Sequence, residues 1–142
     1  IYNQKQESGA SNNDVTLMAI APKNDTQACL KAYDVNDESQ VWQFVEDRDK
    51  YKIRNVSTGK WLGAVAAGAV PVPLVNDEAG ATSYTMEIND NNTYAFWHSD
   101  RNTKGNWLWN DGGGNLYGWY DDTNRMQDFY LEVVVVEPVP PE

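Results

Sequence analysis

One five-residue pattern occurs three times in the chain at nearly equal spacing. Val41-Trp42-Gln43-Phe44-Val45 alternates apolar and polar residues as a half-buried strand does. Tyr84-Thr85-Met86-Glu87-Ile88 lies 42 residues on, and Phe129-Tyr130-Leu131-Glu132-Val133 follows 45 residues later. Twelve residues before each leading aromatic stand Leu30, Val72 and Tyr117, inside the strand-like runs 28–33, 70–75 and 115–120. An opening segment recurs as well: Tyr51-Lys52-Ile53-Arg54-Asn55 and Tyr94-Ala95-Phe96-Trp97-His98 are 43 residues apart. They are followed by Gly59-Lys60-Trp61-Leu62 and Gly105-Asn106-Trp107-Leu108. The first copy is more degenerate, opening at Ile1-Tyr2-Asn3-Gln4 with its second strand at 15–20.

Units of about 45 residues with four short strands each fill residues 1–136, with boundaries near 1–48, 49–91 and 92–136. A unit of this kind has one apolar face that it cannot bury alone, so three must close around a shared axis. The expected fold is all-β, a β-trefoil with pseudo-threefold symmetry; a propeller needs at least four blades. Residues 137–142 read Glu-Pro-Val-Pro-Pro-Glu, and prolines there oppose a continued sheet and favour an extended linker. An attached catalytic or anchoring domain is expected beyond it.

Leu, Ile, Val and Phe number only 28 of 142 residues, close to the one-fifth level at which a chain struggles to bury a core. Six Trp and eight Tyr make up the deficit, because each buries a large area. With 15 Asn and 13 Asp, many short turns and little helix are expected. The net charge of −10 repels phosphate, so nucleic acid and anionic membrane surfaces are excluded as partners. The longest apolar run, 64–75, is broken by Gly68, Pro71 and Pro73 and is too short to insert into a membrane.

No chemistry-bearing motif calls for a cofactor or a metal. Cys29 stands alone and reads as a small buried hydrophobe. His98 is the single histidine, and none of the six serines has the Gly-x-Ser-x-Gly context of a nucleophile turn. Asp34-Val35-Asn36-Asp37 and Asn110-Asp111 are oxygen-rich but lack the offsets of a calcium loop, so both read as solvated turns. Asn-x-Ser/Thr triplets begin at Asn24, Asn55 and Asn91, about as many as an Asn-rich chain produces by chance.

Gln40-Val41-Trp42 opens the fourth strand of the first copy, and Gln127-Asp128-Phe129 stands at the same place in the third, with Thr82-Ser83-Tyr84 in the second. In these tripeptides the chain resembles the ricin-type β-trefoil lectins, whose repeats carry a Gln-x-Trp signature. The segment 51–62 resembles the opening strand and turn of that family, and the resemblance extends over about residues 1–135. It implies that Trp42, Tyr84 and Phe129 fill the core and that the signature Gln bonds to backbone. It also implies a sugar site made of a carboxylate after the second-strand Leu, an aromatic platform near the third strand, and an Asn or Gln before the signature. Here Met18, Gly63 and Trp109 follow Leu17, Leu62 and Leu108, so no copy has that carboxylate in register.

The third copy differs in composition. Trp107, Trp109, Tyr117, Trp119 and Tyr120 fall within 14 residues, among Asn110, Asp111, Asn115, Asp121 and Asp122. Strand alternation puts Tyr117 and Trp119 on one side and Gly118 and Tyr120 on the other; which side faces inward is open from sequence. Either way a large aromatic lies near the surface beside short polar side chains. A pyranose offers a flat C–H face to stack on a ring and an edge of hydroxyls for fixed donors and acceptors. Trp109, Asp111, Asn115, Tyr117, Trp119 and Tyr120 are therefore the candidate carbohydrate-binding residues. The same residues also fit a structural role, with the aromatics closing the barrel and the Asn-Asp-Gly-Gly run forming a hairpin turn. Two functions follow: a non-catalytic glycan- or polysaccharide-binding module, or a structural or protein-interaction trefoil. Because glycans are met mostly outside cells, a secreted or cell-surface location is expected, with the signal segment not present in this chain.

Overall fold

Strand after short strand forms from the alternating segments, joined by turns rich in Asn, Asp and Gly. The computed structural model describes residues 2–5, 16–68, 70–88, 93–100, 103, 105–110, 115–119 and 129–131, and only the backbone of 2–5, 16–18, 110, 119 and 130. Within these the strands are β1 (Tyr2–Lys5), β2 (Thr16–Pro22), β3 (Ala28–Ala32), β4 (Trp42–Asp47), β5 (Lys50–Asn55) and β6 (Trp61–Leu62). They continue as β7 (Leu74–Val75), β8 (Thr85–Ile88), β9 (Tyr94–Trp97), β10 (Trp107–Asn110), β11 (Leu116–Trp119) and β12 (Phe129–Tyr130). The helical content among the described residues is two single 3-10 turns, Glu38–Gln40 and Glu78–Gly80. The chain is all-β.

Two kinds of pairing organise these strands. β4 pairs with β5, β8 with β9 and β12 with β1, while β12 also pairs with β9 and a Tyr51↔Tyr84 bridge joins β5 to the residue just before β8. On β1, β5 and β9 hang the hairpins β2–β3, β6–β7 and β10–β11, through Tyr2↔Ala19, Arg54↔Trp61 and Trp97↔Trp107. One position further along, Ile20, Leu62 and Leu108 are each fully buried. They face Leu30, Leu74 and Gly118 across their hairpins.

This register corrects two sequence expectations. The matched third-strand positions are Leu30, Leu74 and Gly118, which stand 12, 10 and 11 residues before the leading aromatics. The constant spacing of Leu30, Val72 and Tyr117 is thus not a structural correspondence, because the connections differ in length and alternate residues of a strand are equally apolar. In the first hairpin the counterpart of Leu62 is Ile20, not Leu17; the residue that follows it is Ala21, so a carboxylate is still lacking there.

The three leading aromatics occupy the core as the resemblance implies: Trp42, Tyr84 and Phe129 are all buried. Two of them also carry a polar tip that must be paired once it is out of water. Trp42 Nε1 donates to Ile20 O at 2.8 Å, and Tyr84 Oη donates to Gly63 O at 2.6 Å while accepting from Val65 N at 3.2 Å. Phe129 has no such tip and packs on Phe96, which stacks on Phe44, with centroids 6.0 and 5.9 Å apart. Gln40 bonds to backbone, donating to Ala32 O and accepting from Asp34 N, each at 2.9 Å. Asp37 caps the 3-10 turn before it by accepting from Ser39 N and Ser39 Oγ, which holds its carboxyl below the ordinary carboxylate value. Asp77 caps the second turn by accepting from Gly80 N, so Asp-Glu marks both turns.

Replacing Tyr84 by Phe leaves the Val65 N–H and Gly63 carbonyl unpaired in the core. Urea denaturation is expected to show a loss of about 1–3 kcal/mol. Burial pushes the Tyr84 hydroxyl well above its ordinary value of 10.0. The native state then keeps a proton that the unfolded chain releases, so this contribution is full below about pH 10 and is lost as the pH rises above it. Tyrosinate absorbance is expected to show a late step that comes only with unfolding and that a Tyr84→Phe variant lacks.

Candidate functional site

The β10–β11 hairpin holds Trp107, Trp109 and Tyr117 and shows which side they face. Leu108, Leu116 and Gly118 are buried on its inner side, and Trp109 lies directly opposite Tyr117, both partly exposed on the outer side. Directly opposed residues of an antiparallel pair have Cβ atoms about 4.5–5.5 Å apart, so the two rings are neighbours on one surface. The inward register of 116 and 118 has a steric cause. A Cβ at position 118 would stand 2.1 Å from Ala66 O and 2.5 Å from Gly105 O, so only glycine fits.

The remaining candidates divide. Asn115 precedes β11 and is partly exposed, and the Trp119 backbone pairs with Trp107. Asp111 and Tyr120, with the Trp119 side chain, lie outside the described residues. Trp107 shares the outer side by strand alternation but is buried, packed against Trp97 with centroids 6.2 Å apart.

The positions matching Trp109 and Tyr117 in the other two hairpins are small or compact. β2–β3 has Ala21 opposite Cys29, both buried. β6–β7 has Gly63, whose N–H donates to Pro73 O at 2.8 Å. A Cβ on Gly63 would meet Pro73 Cγ at 2.7 Å, so this hairpin cannot hold a ring at that place. Cys29 is buried, and burial raises its thiol pKa above the ordinary value, in accord with a packing role.

A neighbouring segment was not foreseen. Residues 64–68, apart from buried Val65, lie exposed, and Ala67 and Gly68 bridge to Gly118 along the outer edge of β11. Val65 is held from both sides: its N–H goes to Tyr84 Oη, and its carbonyl accepts from His98 Nε2 at 2.8 Å. A carbonyl only accepts, so His98 carries a proton on Nε2. Its Nδ1 faces Ser99 Oγ at 3.0 Å and its ring packs edge-on to Tyr84. The imidazole is oriented by a carbonyl rather than a carboxylate, which is not the arrangement of a hydrolytic triad. The signal for this contact was Gly105 and Gly118, where a Cβ would strike Ala67 or Ala66 backbone.

Asp34 accepts from Asn36 N at 2.9 Å, so the 34–37 run is a local turn. Among the described residues no cluster of three or more His, Cys, Asp and Glu is placed to hold a metal ion.

No protein-family model matches the chain, and no curated protein matches it. Solved structures do. One is the Polyporus squamosus lectin bound to the human-type influenza-binding epitope Neu5Acα2-6Galβ1-4GlcNAc, at 18% identity and TM-score 0.59. The match covers 89% of this chain and 46% of that one, so the chain spans about half its length. Another is the Macrolepiota procera ricin B-like lectin in complex with lactose, at 15% identity and TM-score 0.56, covering 88% of this chain and 96% of that one. The chain therefore has the fold of the ricin B-like lectins, the β-trefoil.

Because backbone fills the space at Gly118, Gly118→Ala is expected to destabilise the chain by about 1–3 kcal/mol, the range typical of overpacking. Thermal melting checks this, with Gly80→Ala as comparison, where the nearest atom to an added Cβ is an Asp77 carboxylate oxygen at 3.3 Å.

Proposed function

We propose that the chain is a non-catalytic carbohydrate-binding module of a larger secreted or cell-surface protein. In this reading three four-stranded units surround a pseudo-threefold axis, and a glycan binds on the outer side of the third hairpin. The observation that carries it is the Trp109–Tyr117 pair, directly opposed and partly exposed where the other hairpins have Ala21/Cys29 and Gly63/Pro73. Core packing does not require rings at this place, since the other two hairpins do without them. The C–H face of a pyranose stacks on such rings, and Asp111, Asn115, Trp119 and Tyr120 complete the site by bonding its hydroxyls and widening the platform. The fold supports the reading, because both matched structures are lectins with saccharides bound. Residues 137–142 link the module to a catalytic or anchoring domain.

A trefoil that serves as a structural or protein-interaction domain is the second reading. It is favoured by Ala21, Gly63 and Trp109 standing where the lectin resemblance implies a carboxylate. A glycan array that includes lactose and the sialylated trisaccharide separates the two. Binding is expected, with Trp109→Ala and Tyr117→Ala each weakening it at least tenfold, about 1.4 kcal/mol, while circular dichroism stays unchanged. Silence toward every glycan would leave the interaction-domain reading standing.

A further inference from the structure

The three Asn-x-Ser/Thr triplets are equivalent in sequence, but the structure separates two of them. Asn24-Asp25-Thr26 lies in the turn between β2 and β3, where Lys23, Asn24, Asp25 and Thr26 are all exposed. Asn24 Oδ1 accepts from Thr26 N at 2.9 Å and from Thr26 Oγ1 at 3.2 Å, and Nδ2 donates to the side chain of Gln27 at 3.2 Å. The amide is thus drawn toward the hydroxyl two residues on, while its nitrogen has a single partner that is an adjustable side chain. The rest of the turn is fixed by its backbone: Lys23 N donates to Gln27 O and Leu74 N to Thr26 O, each at 2.8 Å. A group added to Asn24 Nδ2 would project into solvent without displacing any of these backbone bonds.

Asn55-Val56-Ser57 is the opposite case. Asn55 is fully buried at the end of β5. Its Nδ2 donates to Ser39 O at 2.8 Å, and its Oδ1 accepts from Thr58 N and Thr58 Oγ1, each at 3.0 Å. A sugar on that nitrogen would break the bond to Ser39 and leave no room for the native packing, so a chain modified there could not reach this fold. Asn91 lies outside the described residues.

We propose that Asn24 is an acceptor site for N-linked glycosylation and that Asn55 is not. The donor is a lipid-pyrophosphate-linked oligosaccharide. Asn24 Nδ2 forms a bond to the anomeric carbon, the bond from that carbon to the pyrophosphate oxygen breaks, and the proton lost from Nδ2 leaves with a base of the transferase. This inference rests on the secretory location and not on sugar binding by the third hairpin.

The test is to secrete the full chain from a glycosylating eukaryotic cell, purify the folded protein, and map each triplet by mass spectrometry. Release by an N-glycosidase in heavy-oxygen water marks each occupied Asn as a labelled Asp. Label at Asn24, absent from Asn24→Gln and from Thr26→Ala, with none at Asn55, is the expected result. Unlabelled Asn24 in secreted, folded protein would overturn the proposal, and so would label at Asn55. Glycan-array binding by Asn24→Gln, read in parallel, reports separately on the third hairpin.

Discussion

Two buried hydrogen bonds fix where the hairpins sit. Trp42 Nε1 reaches Ile20 O and Tyr84 Oη reaches Gly63 O, across 22 and 21 residues of sequence. In each case a core aromatic at or just before a strand hands its one polar atom to a carbonyl in or just after the first strand of a hairpin, β2 for Trp42 and β6 for Tyr84. An unmade bond at such depth costs about 1–3 kcal/mol, so the pairing is specified as well as the packing. Tyr84 does more than Trp42, because the same hydroxyl also takes the Val65 N–H and so starts the 64–68 segment on its course toward β11. Phe129 can make no such bond and relies on the Phe96–Phe44 stack.

With inner faces committed to the core, what differs between hairpins is the outer face. Ala21 and Cys29 are buried, so the first hairpin has nothing to offer there. In the second, Pro73 dictates Gly63. In the third hairpin the positions matching these, 109 and 117, are both aromatic and partly exposed. Small residues are also required nearby, but on the other side: Gly105 and Gly118 let the 64–68 backbone approach. The large and small residues of this hairpin are thus two answers to one packing arrangement.

Much of this was legible in the chain. The leading aromatics and the alternation around them follow from patterns that depend on nearest neighbours in a strand, whereas the burial of Trp42 and the backbone bonds of Gln40 follow from what the lectin resemblance implies. The third-strand correspondence was misread because Leu116, Tyr117 and Gly118 are consecutive, and a spacing count cannot see that a carbonyl occupies the space beside residue 118. Ile20 was missed in favour of Leu17 for a related reason, since every residue from Leu17 to Ala21 is apolar and the alternation carries no phase there. The role of His98 was not legible at all: its partners, Val65 and Tyr84, are 33 and 14 residues away. Of the candidate residues, Trp109 and Tyr117 face each other across β10 and β11 and Asn115 precedes β11, while Asp111, Tyr120 and the Trp119 side chain lie outside the described residues.

Residues 64, 66–68 and 70 show how apolar residues can lie at the surface without collapsing. Ala64, Ala66, Ala67 and Gly68 are exposed but small, and Val70 is the one larger exposed side chain among them. The backbone of Val65, Ala67 and Gly68 is tied by Tyr84, His98 and Gly118, three groups on different strands or strand ends. The hydrophobic gain forgone is correspondingly slight, because an alanine adds a single methyl. A net charge of −10 over the whole chain then opposes association of two such surfaces. The fold can therefore keep a neutral, apolar strip beside the edge of β11 in a strongly acidic protein, and its cost is contained by residue size rather than by covering it.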